Sequence, residues 1–486
     1  MISFYCMNGS KLKKFVSKNA WFKIGKWKEP GFLEDIVIWS ELEDRPDMAL
    51  SQHPEVYLFA DHSQFILKKE YDRLTGEIGE ELEKSAAAAL RRIGREVREA
   101  IKKMDRFNPG RFTLASLGRY INLVKTHGRQ SLRFILLGYV LNNIYPASLP
   151  AKFRLGRRQF TPPSLLAVAA MPKELSPMVA EHLYLLKIAA KIKAGRNAAS
   201  DLARQAEKFG WMNSICWWDE PFDADYYLQQ ARLLAKNDPA GKLRRLKQRR
   251  RQQIKEGQKI LRALKKVYPR AYFYIEMIRQ MADWREASWD AVSRAGVRVR
   301  PLFRELAAKN GLSYNQLLML TRTEMAAMLA KKNVPSADLL NRRLKSFGLF
   351  AAAPGNRSLV ISGAEAAKLS DLAEGRRQQV DQLSGLTIWP GKVTARACVM
   401  RSTADINRIK AGEILVCPMT DPDYMPAIHR AAALVTDQGG VLCHAAIIAR
   451  ELQKPCIVGT QRATRVINTG DRLTVDADSG KIKIWK

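Results

Sequence analysis

The chain has 486 residues, 47% hydrophobic and 27% charged, a balance that excludes a disordered or low-complexity protein. Lys and Arg number 81 against 48 Asp and Glu, and the resulting formal charge of +33 favours polyanions, phosphate-bearing ligands or anionic surfaces as partners. Six cysteines, at positions 6, 216, 398, 417, 443 and 456, form no C-x-x-C pair, which argues against a disulfide scaffold or a zinc knuckle and for a reducing, cytoplasmic setting; no apolar stretch approaches the ~20 residues of a membrane span.

Residues 1–70 read as a small mixed segment with short strands at 36–39 and 56–59. Residues 71–350 are expected to form a helical body. From 80 to 104, Leu82, Ala86, Leu90, Ile93, Val97 and Ile101 return at three- and four-residue spacing among charged neighbours, the pattern of an amphipathic helix. Asn108-Pro109-Gly110 ends it. Further helices are expected over 112–141, 175–194, 198–209, 223–235, 240–267, 269–308, 313–331 and 336–345.

Between two of these helices, Trp211, Cys216, Trp217, Trp218, Asp219 and Glu220 make an aromatic–acidic cluster. It reads either as a lid or wall of an acceptor site, with Trp217, Trp218 and Asp219 against the acceptor and a carboxylate as general base for a hydroxyl, or as a loop whose indoles complete the core. The run 240–266 is strongly basic, with Leu243, Leu246, Ile254, Leu261 and Leu264 as a single apolar stripe. It reads as the solvated face of a surface helix or as a surface for a polyanion, a membrane or an acidic protein, remote from any chemistry. No aromatic residue interleaves with its charges, as a stacking platform for single strands would need.

Residues 351–385 are expected to be a linker, with breakers at 351–356, a short strand at 359–362 and a polar helix at 364–383. Beyond Gly385, β-branched segments alternate with short helices, with strands at 393–400, 414–417, 433–436, 456–458, 472–475 and 481–484. The fold class is therefore a multi-domain chain, a mostly α-helical body followed by a compact α/β domain over 386–486.

Residues 436–460 carry the chemistry. A strand runs into Gly439-Gly440, where the backbone is free to take positive φ and a bulky group can approach. Cys443-His444 follow, then an apolar helix start from Ala445 to Leu452. His444 is thus placed at a helix N-terminus, whose free N–H groups and positive dipole end favour an anion and disfavour imidazolium. A neutral imidazole beside an anion pocket suits covalent catalysis through a phosphohistidine.

This string resembles the swivelling phosphohistidine domain of the phosphoenolpyruvate-utilising enzyme family, as in phosphoenolpyruvate synthase, rifampin phosphotransferase and phenylphosphate synthase. The resemblance rests on Gly439, Gly440, Cys443, His444, Ala445, Ala446, Ile447, Ala449, Arg450, Glu451, Pro455, Val458 and Gly459. It extends to Trp389-Pro390-Gly391, Thr420-Asp421-Pro422-Asp423 and Gly470-Asp471, covering about 386–486. It implies that His444 carries the phosphoryl group and that Gly439, Gly440, Cys443 and Arg450 bind phosphate. Arg450 lies two turns along the helix and reads equally as a surface charge. Cys443 reads as a small residue packing under the histidine or as a reactive thiol. Leu442 stands where relatives carry a regulatory threonine, so no phosphothreonine is expected. His429 reads as a surface or capping residue, and His53, His62, His127 and His182 have no metal-ligand spacing.

The helical residues 70–345 resemble, more weakly, the acceptor domain of rifampin phosphotransferase. No ATP-grasp pattern is legible in the first 70 residues, and a pyruvate-binding barrel after the histidine domain is not expected. The resemblance therefore implies a phosphotransferase component that binds no cofactor alone, with ATP and Mg supplied by a separate ATP-grasp protein. His444 would be phosphorylated as ATP becomes AMP and phosphate, and the phosphoryl would pass to a small-molecule acceptor on the helical body. Two further readings stay open: a non-catalytic phosphocarrier or regulator, and a basic nucleic-acid- or membrane-binding protein with a vestigial histidine domain.

Overall fold

The computed structural model describes residues 9–26, 56–60, 63–110, 113–172, 174–214, 220–330, 334–352, 358–374, 380–401, 406, 408–421 and 424–485. In chain order the elements are α1 (Gly9–Lys18), β1 (Trp21–Lys26), β2 (Val56–Ala60), β3 (Ser63–Leu67), α2 (Lys68–Asp105), α3 (Leu114–Ala147), β4 (Phe153–Leu155), β5 (Arg158–Phe160), α4 (Pro162–Ala169), α5 (Pro177–Lys193), α6 (Ala199–Phe209), α7 (Ala224–Ala235), α8 (Pro239–Val267) and α9 (Pro269–Lys309). They continue with α10 (Tyr314–Leu318), α11 (Arg322–Leu329), α12 (Ala337–Lys345), β6 (Phe347–Ala352), β7 (Ser358–Ser362), α13 (Ala364–Glu374), β8 (Gln382–Ser384), β9 (Leu386–Trp389), β10 (Lys392–Val399), β11 (Ile414–Cys417), α14 (Met425–Arg430), β12 (Ala433–Thr436), α15 (His444–Leu452), β13 (Cys456–Val458), α16 (Ala463–Val466), β14 (Arg472–Asp476) and β15 (Lys481–Trp485). Among the described residues, no helix is long and apolar enough to cross a membrane.

The chain divides into two compact units. One gathers the described residues of Met1–Leu137 and Ala287–Arg377. Its sheet has the order β1-β3-β2-β6-β7 and is antiparallel throughout. Leu12, Leu58, Phe65, Phe350 and Leu369 pack as its core. Residues 351–385, expected as a linker, thus supply part of β6, all of β7 and α13. The reason lies far upstream: Phe347–Ala352 hydrogen-bonds to Val56–Ala60, a pairing with no local signal. The strand expected at 36–39 lies outside the described residues. Helix α2 begins earlier than expected because Leu74 and Ile78 continue its buried stripe. The single helix expected over 313–331 is broken where Thr321 starts a new capping box with Glu324.

The second unit gathers Gly138–Ile215, Asp219–Glu286 and Gln378–Lys486. Its eight-stranded sheet runs β8-β15-β14-β10-β11-β12-β13-β9, with β10 to β13 parallel and the rest antiparallel. The central strands β11, β12 and β13 are buried at every position, which is why they read as unbroken apolar runs. Ala397, Val416, Val435, Ile457 and Val475 belong to the same core. Helices α5 and α8, both started by Pro after a capping residue (Ser176 and Asp238), belong to this unit together with α15.

Candidate functional site

Strand β12 ends at Thr436, and the chain turns through Gly439 and Gly440 into α15. Gly439 has φ +127°, and a Cβ there would lie 2.7 Å from Cys443 Sγ, so only glycine fits under that thiol. Cys443 is the extended residue that precedes the helix, and His444 is its first residue. Burial pushes the Cys443 thiol pKa up, which disfavours the thiolate.

His444 is only 3% exposed. Its Nδ1 lies 2.9 Å from the hydroxyl of Thr420, which follows β11. Its Nε2 faces Sδ of Met178, in the first turn of α5, at 2.9 Å. Burial, aided by the charge of Arg285, lowers its pKa to about 3, so the ring is neutral at physiological pH. The Thr420 hydroxyl holds the ring by Nδ1, and the other nitrogen, Nε2, points out of its own sheet domain at α5.

The turn before His444 is braced from two sides. Val441 N–H donates to Asn142 Oδ1 at 2.9 Å, and Gly439 N–H to the Tyr139 hydroxyl at 3.4 Å, both on α3. Gly440 lies so close to α3 that a Cβ would be 2.8 Å from Asn142 Nδ2 and 3.2 Å from the Gly138 carbonyl. On the other side, Arg450 Nη1 donates to the Val441 carbonyl at 2.8 Å. Arg450 is fully buried, so the surface-charge reading does not hold; burial lowers its pKa to about 10. Among the described residues its Nε and Nη2 have no hydrogen-bond partner.

The far end of α15 is gripped by the helices. Glu451 accepts the Ser176 N–H at 3.1 Å and the Ser176 hydroxyl, at the N-terminus of α5. Arg250 of α8 reaches the same carboxylate at 3.3 Å and also donates to the carbonyls of Pro172 (3.3 Å) and Glu174 (2.9 Å). Gln253 Nε2 lies 3.5 Å from the Arg450 carbonyl. The basic helix is therefore not wholly a solvated face: Arg244, Arg245, Arg249 and Arg251 are exposed, while Arg250 and Gln253 turn onto α15. The two faces differ because charges fill nearly every position outside the apolar stripe, and a 3.6-residue period carries one of them inward.

Of the other expected residues, Trp217, Trp218 and Asp219, with Cys216, lie outside the described residues. Trp211 is buried, with Nε1 donating to the Lys208 carbonyl at 3.0 Å. His429 is half-buried, its ring stacked on His182 at 4.0 Å between centroids. His127 Nδ1 lies 3.1 Å from Ser288 Oγ. Thr420, Met178, Ser176, Arg250 and Asn142 were given no role from sequence. Thr420 alone had a signal, since it opens a segment shared with the phosphoenolpyruvate-utilising family.

Residues 409–480 match the family of the PEP-utilising enzyme mobile domain. The probable phosphoenolpyruvate synthase of Archaeoglobus fulgidus is 45% identical over 113 residues, covering 23% of this chain and 14% of that protein. The phosphoenolpyruvate synthase of Pyrococcus furiosus is 48% identical over 100 residues, or 21% of this chain and 12% of its own length. A longer match, 33% identical over 223 residues, is to the rifampicin phosphotransferase of a Streptomyces species and covers 43% of this chain and 24% of that one. The chain thus spans less than a quarter of the length of these curated relatives. Its C-terminal part matches the PEP-utilising mobile domain, and the proteins it is similar to include named phosphotransferases.

Proposed function

We propose that this chain is a phosphotransferase component in which His444 carries the phosphoryl group. The observation that carries the reading is the position of its ring: first residue of α15, Nδ1 on Thr420, Nε2 aimed out of the sheet domain. With Nδ1–H donating to Thr420 Oγ1, the Nε2 lone pair attacks the β-phosphorus of ATP held by an ATP-grasp partner. The N–P bond forms as the P–O bond to AMP breaks, its electron pair leaving on AMP. Water then releases the γ-phosphate and leaves phosphohistidine. In the second half, an acceptor oxygen attacks the phosphorus and the N–P electron pair returns to Nε2. The acceptor proton passes to a carboxylate, the role proposed for Asp219, with Trp217 and Trp218 against the acceptor.

The N–H groups of the first turn of α15 and the Gly439–Gly440 turn favour the added anion. Arg450 supplies a buried positive charge behind that turn. Because His444 is sealed under Met178, phosphorylation requires α15 to leave α5 and α8, which is the swivelling step of the proposed cycle. Incubation with the ATP-grasp partner and ATP labelled at its β-phosphorus is expected to place an acid-labile, base-stable label on His444. Undiminished labelling of His444→Asn would sink the assignment.

A further inference from the structure

Beside the carrier helix lies a cavity of about 300 Å³, at the small end of the range for ligand sites. Its apolar walls come from three elements: Val179 and Leu183 of α5, Leu246 and Ile254 of α8, and Leu452 of α15. Val179 and Leu183 are spaced i, i+4 and Leu246 and Ile254 are two turns apart, so each pair faces the same space. Two features distinguish it from a packing defect. His182 lines it, and among the described residues its buried Nε2 has no hydrogen-bond partner. Lys247 and Arg251, also lining residues and one turn apart on α8, are exposed and set positive charge at the cavity's edge. Burial holds the His182 pKa down to about 3, so its ring is neutral and can meet an uncharged polar atom at no ionic cost.

We propose that this cavity binds a small amphipathic anion, an aliphatic or aryl carboxylate, with its body between α5, α8 and α15 and its head at Lys247 and Arg251. A cationic ligand would meet two like charges at the cavity's edge, and a purely apolar one would gain nothing from them. The site also has a consequence for α15. Glu451 and Leu452 line it with Val179 and Leu246, so an occupant gains full contact only while α15 is docked. By linkage it holds His444 in its sealed position. This coupling rests on the proposal that α15 leaves α5 and α8, whereas the binding site itself does not.

The full chain is titrated by calorimetry with octanoate and with octylamine, probes of one apolar length and opposite charge. Octanoate is expected to bind in the sub-millimolar range, octylamine at least about tenfold more weakly. Lys247→Ala/Arg251→Ala, at exposed positions that leave the fold intact, should remove most of that preference. Equal binding of the two probes, or no octanoate binding up to about 10 mM, would overturn the site. Coupling is read separately, from the rate at which diethylpyrocarbonate modifies His444, mapped by peptide mass and needing no phosphoryl donor. Octanoate should slow it by threefold or more; binding without protection would overturn the coupling. Absence of phosphohistidine, by contrast, would count against the proposed function and leave the calorimetric result standing.

Discussion

Met178 Sδ stands 2.9 Å from Nε2 of His444, while Thr420 Oγ1 stands 2.9 Å from Nδ1. One contact belongs to the domain that carries the histidine; the other comes from α5. The first orients the ring from within its own domain, and the second covers Nε2, the nitrogen proposed to carry the phosphoryl group, from α5. The two contacts therefore separate by mutation.

Met178→Ala should uncover Nε2 without disturbing the tautomer. The side chain is 4% exposed, so its truncation costs about 2–4 kcal/mol of stability in the helical part. Phosphorylation of His444 should nevertheless start severalfold faster, because less packing is lost on undocking. Thr420→Val should do the reverse, leaving stability within about 1.5 kcal/mol and slowing phosphorylation by about tenfold or more. Initial labelling rates and denaturant midpoints of both variants check this; a slower Met178→Ala would show that the thioether positions the ring.

Gly439 and Gly440 are adjacent, yet their substitutions should fail in different places. At Gly439 (φ +127°) alanine meets Cys443 Sγ within the sheet domain itself, so Gly439→Ala costs about 1–3 kcal/mol whether or not α15 is docked. At Gly440 the new Cβ meets Asn142 and the Gly138 carbonyl of α3, contacts made with the helix and not within the sheet domain. Gly440→Ala should speed hydrogen exchange at Val441 N–H, which donates to Asn142, and leave the sheet's amides protected. Loss of protection across β11 and β12 in Gly440→Ala would contradict this.

Acid should destabilise the second unit through its buried imidazoles. His444 and His182 have pKa values lowered from 6.5 to about 3, chiefly by burial. A depressed folded pKa means that the unfolded chain binds more protons, so stability is full above about 6.5 and falls as pH drops toward 3. Each ring contributes about 1.4 kcal/mol per pH unit in that window, or about 2 kcal/mol at pH 5. The neighbours act in the same direction: Lys242 faces His182, and His429 stacks on it with its own pKa pushed well down. Unfolding free energies at pH 7 and pH 5 should differ less in His182→Phe, which keeps the stack and cannot titrate. An unchanged difference would mean that His182 opens to solvent before protonating.

The parallel core of the sheet was legible because Ile414–Cys417, Ala433–Thr436 and Cys456–Val458 are apolar runs bounded by turn residues. Edge strands such as Leu386–Trp389 were not, since their pairing with Cys456–Val458 is set by residues far along the chain. His444 could be placed at a helix start from Gly439, Gly440 and Cys443 alone. What covers it could not: Met178, Ser176 and Arg250 are separated from their α15 partners by 266, 275 and 201 residues. Arg450 did carry a signal. Ala445 to Ala449 are apolar on every side, and a helix apolar all round is buried, so a charge in its last turn faces inward with it.

Arg249 and Arg250 give the sharpest test of this docking. From sequence, both belong to one charged run that reads as a solvated face. Arg249 is exposed, and Arg249→Ala should change stability by no more than about 0.5 kcal/mol. Arg250 has a 15%-exposed side chain paired with a fully buried Glu451 carboxylate, and it also satisfies the carbonyls of Pro172 and Glu174. Arg250→Ala leaves that carboxylate with Ser176 alone, and burial already pushes its pKa up. The docked state should lose about 2–4 kcal/mol, less than a wholly buried pair because Arg250 keeps some contact with water. Hydrogen exchange at Ser176 N–H and His444 labelling should both accelerate in Arg250→Ala and stay unchanged in Arg249→Ala. Charge reversal of all three residues should follow Arg250 rather than the sum of the three charges. Equal effects of the two alanine substitutions would assign the basic helix to long-range field instead of to this contact.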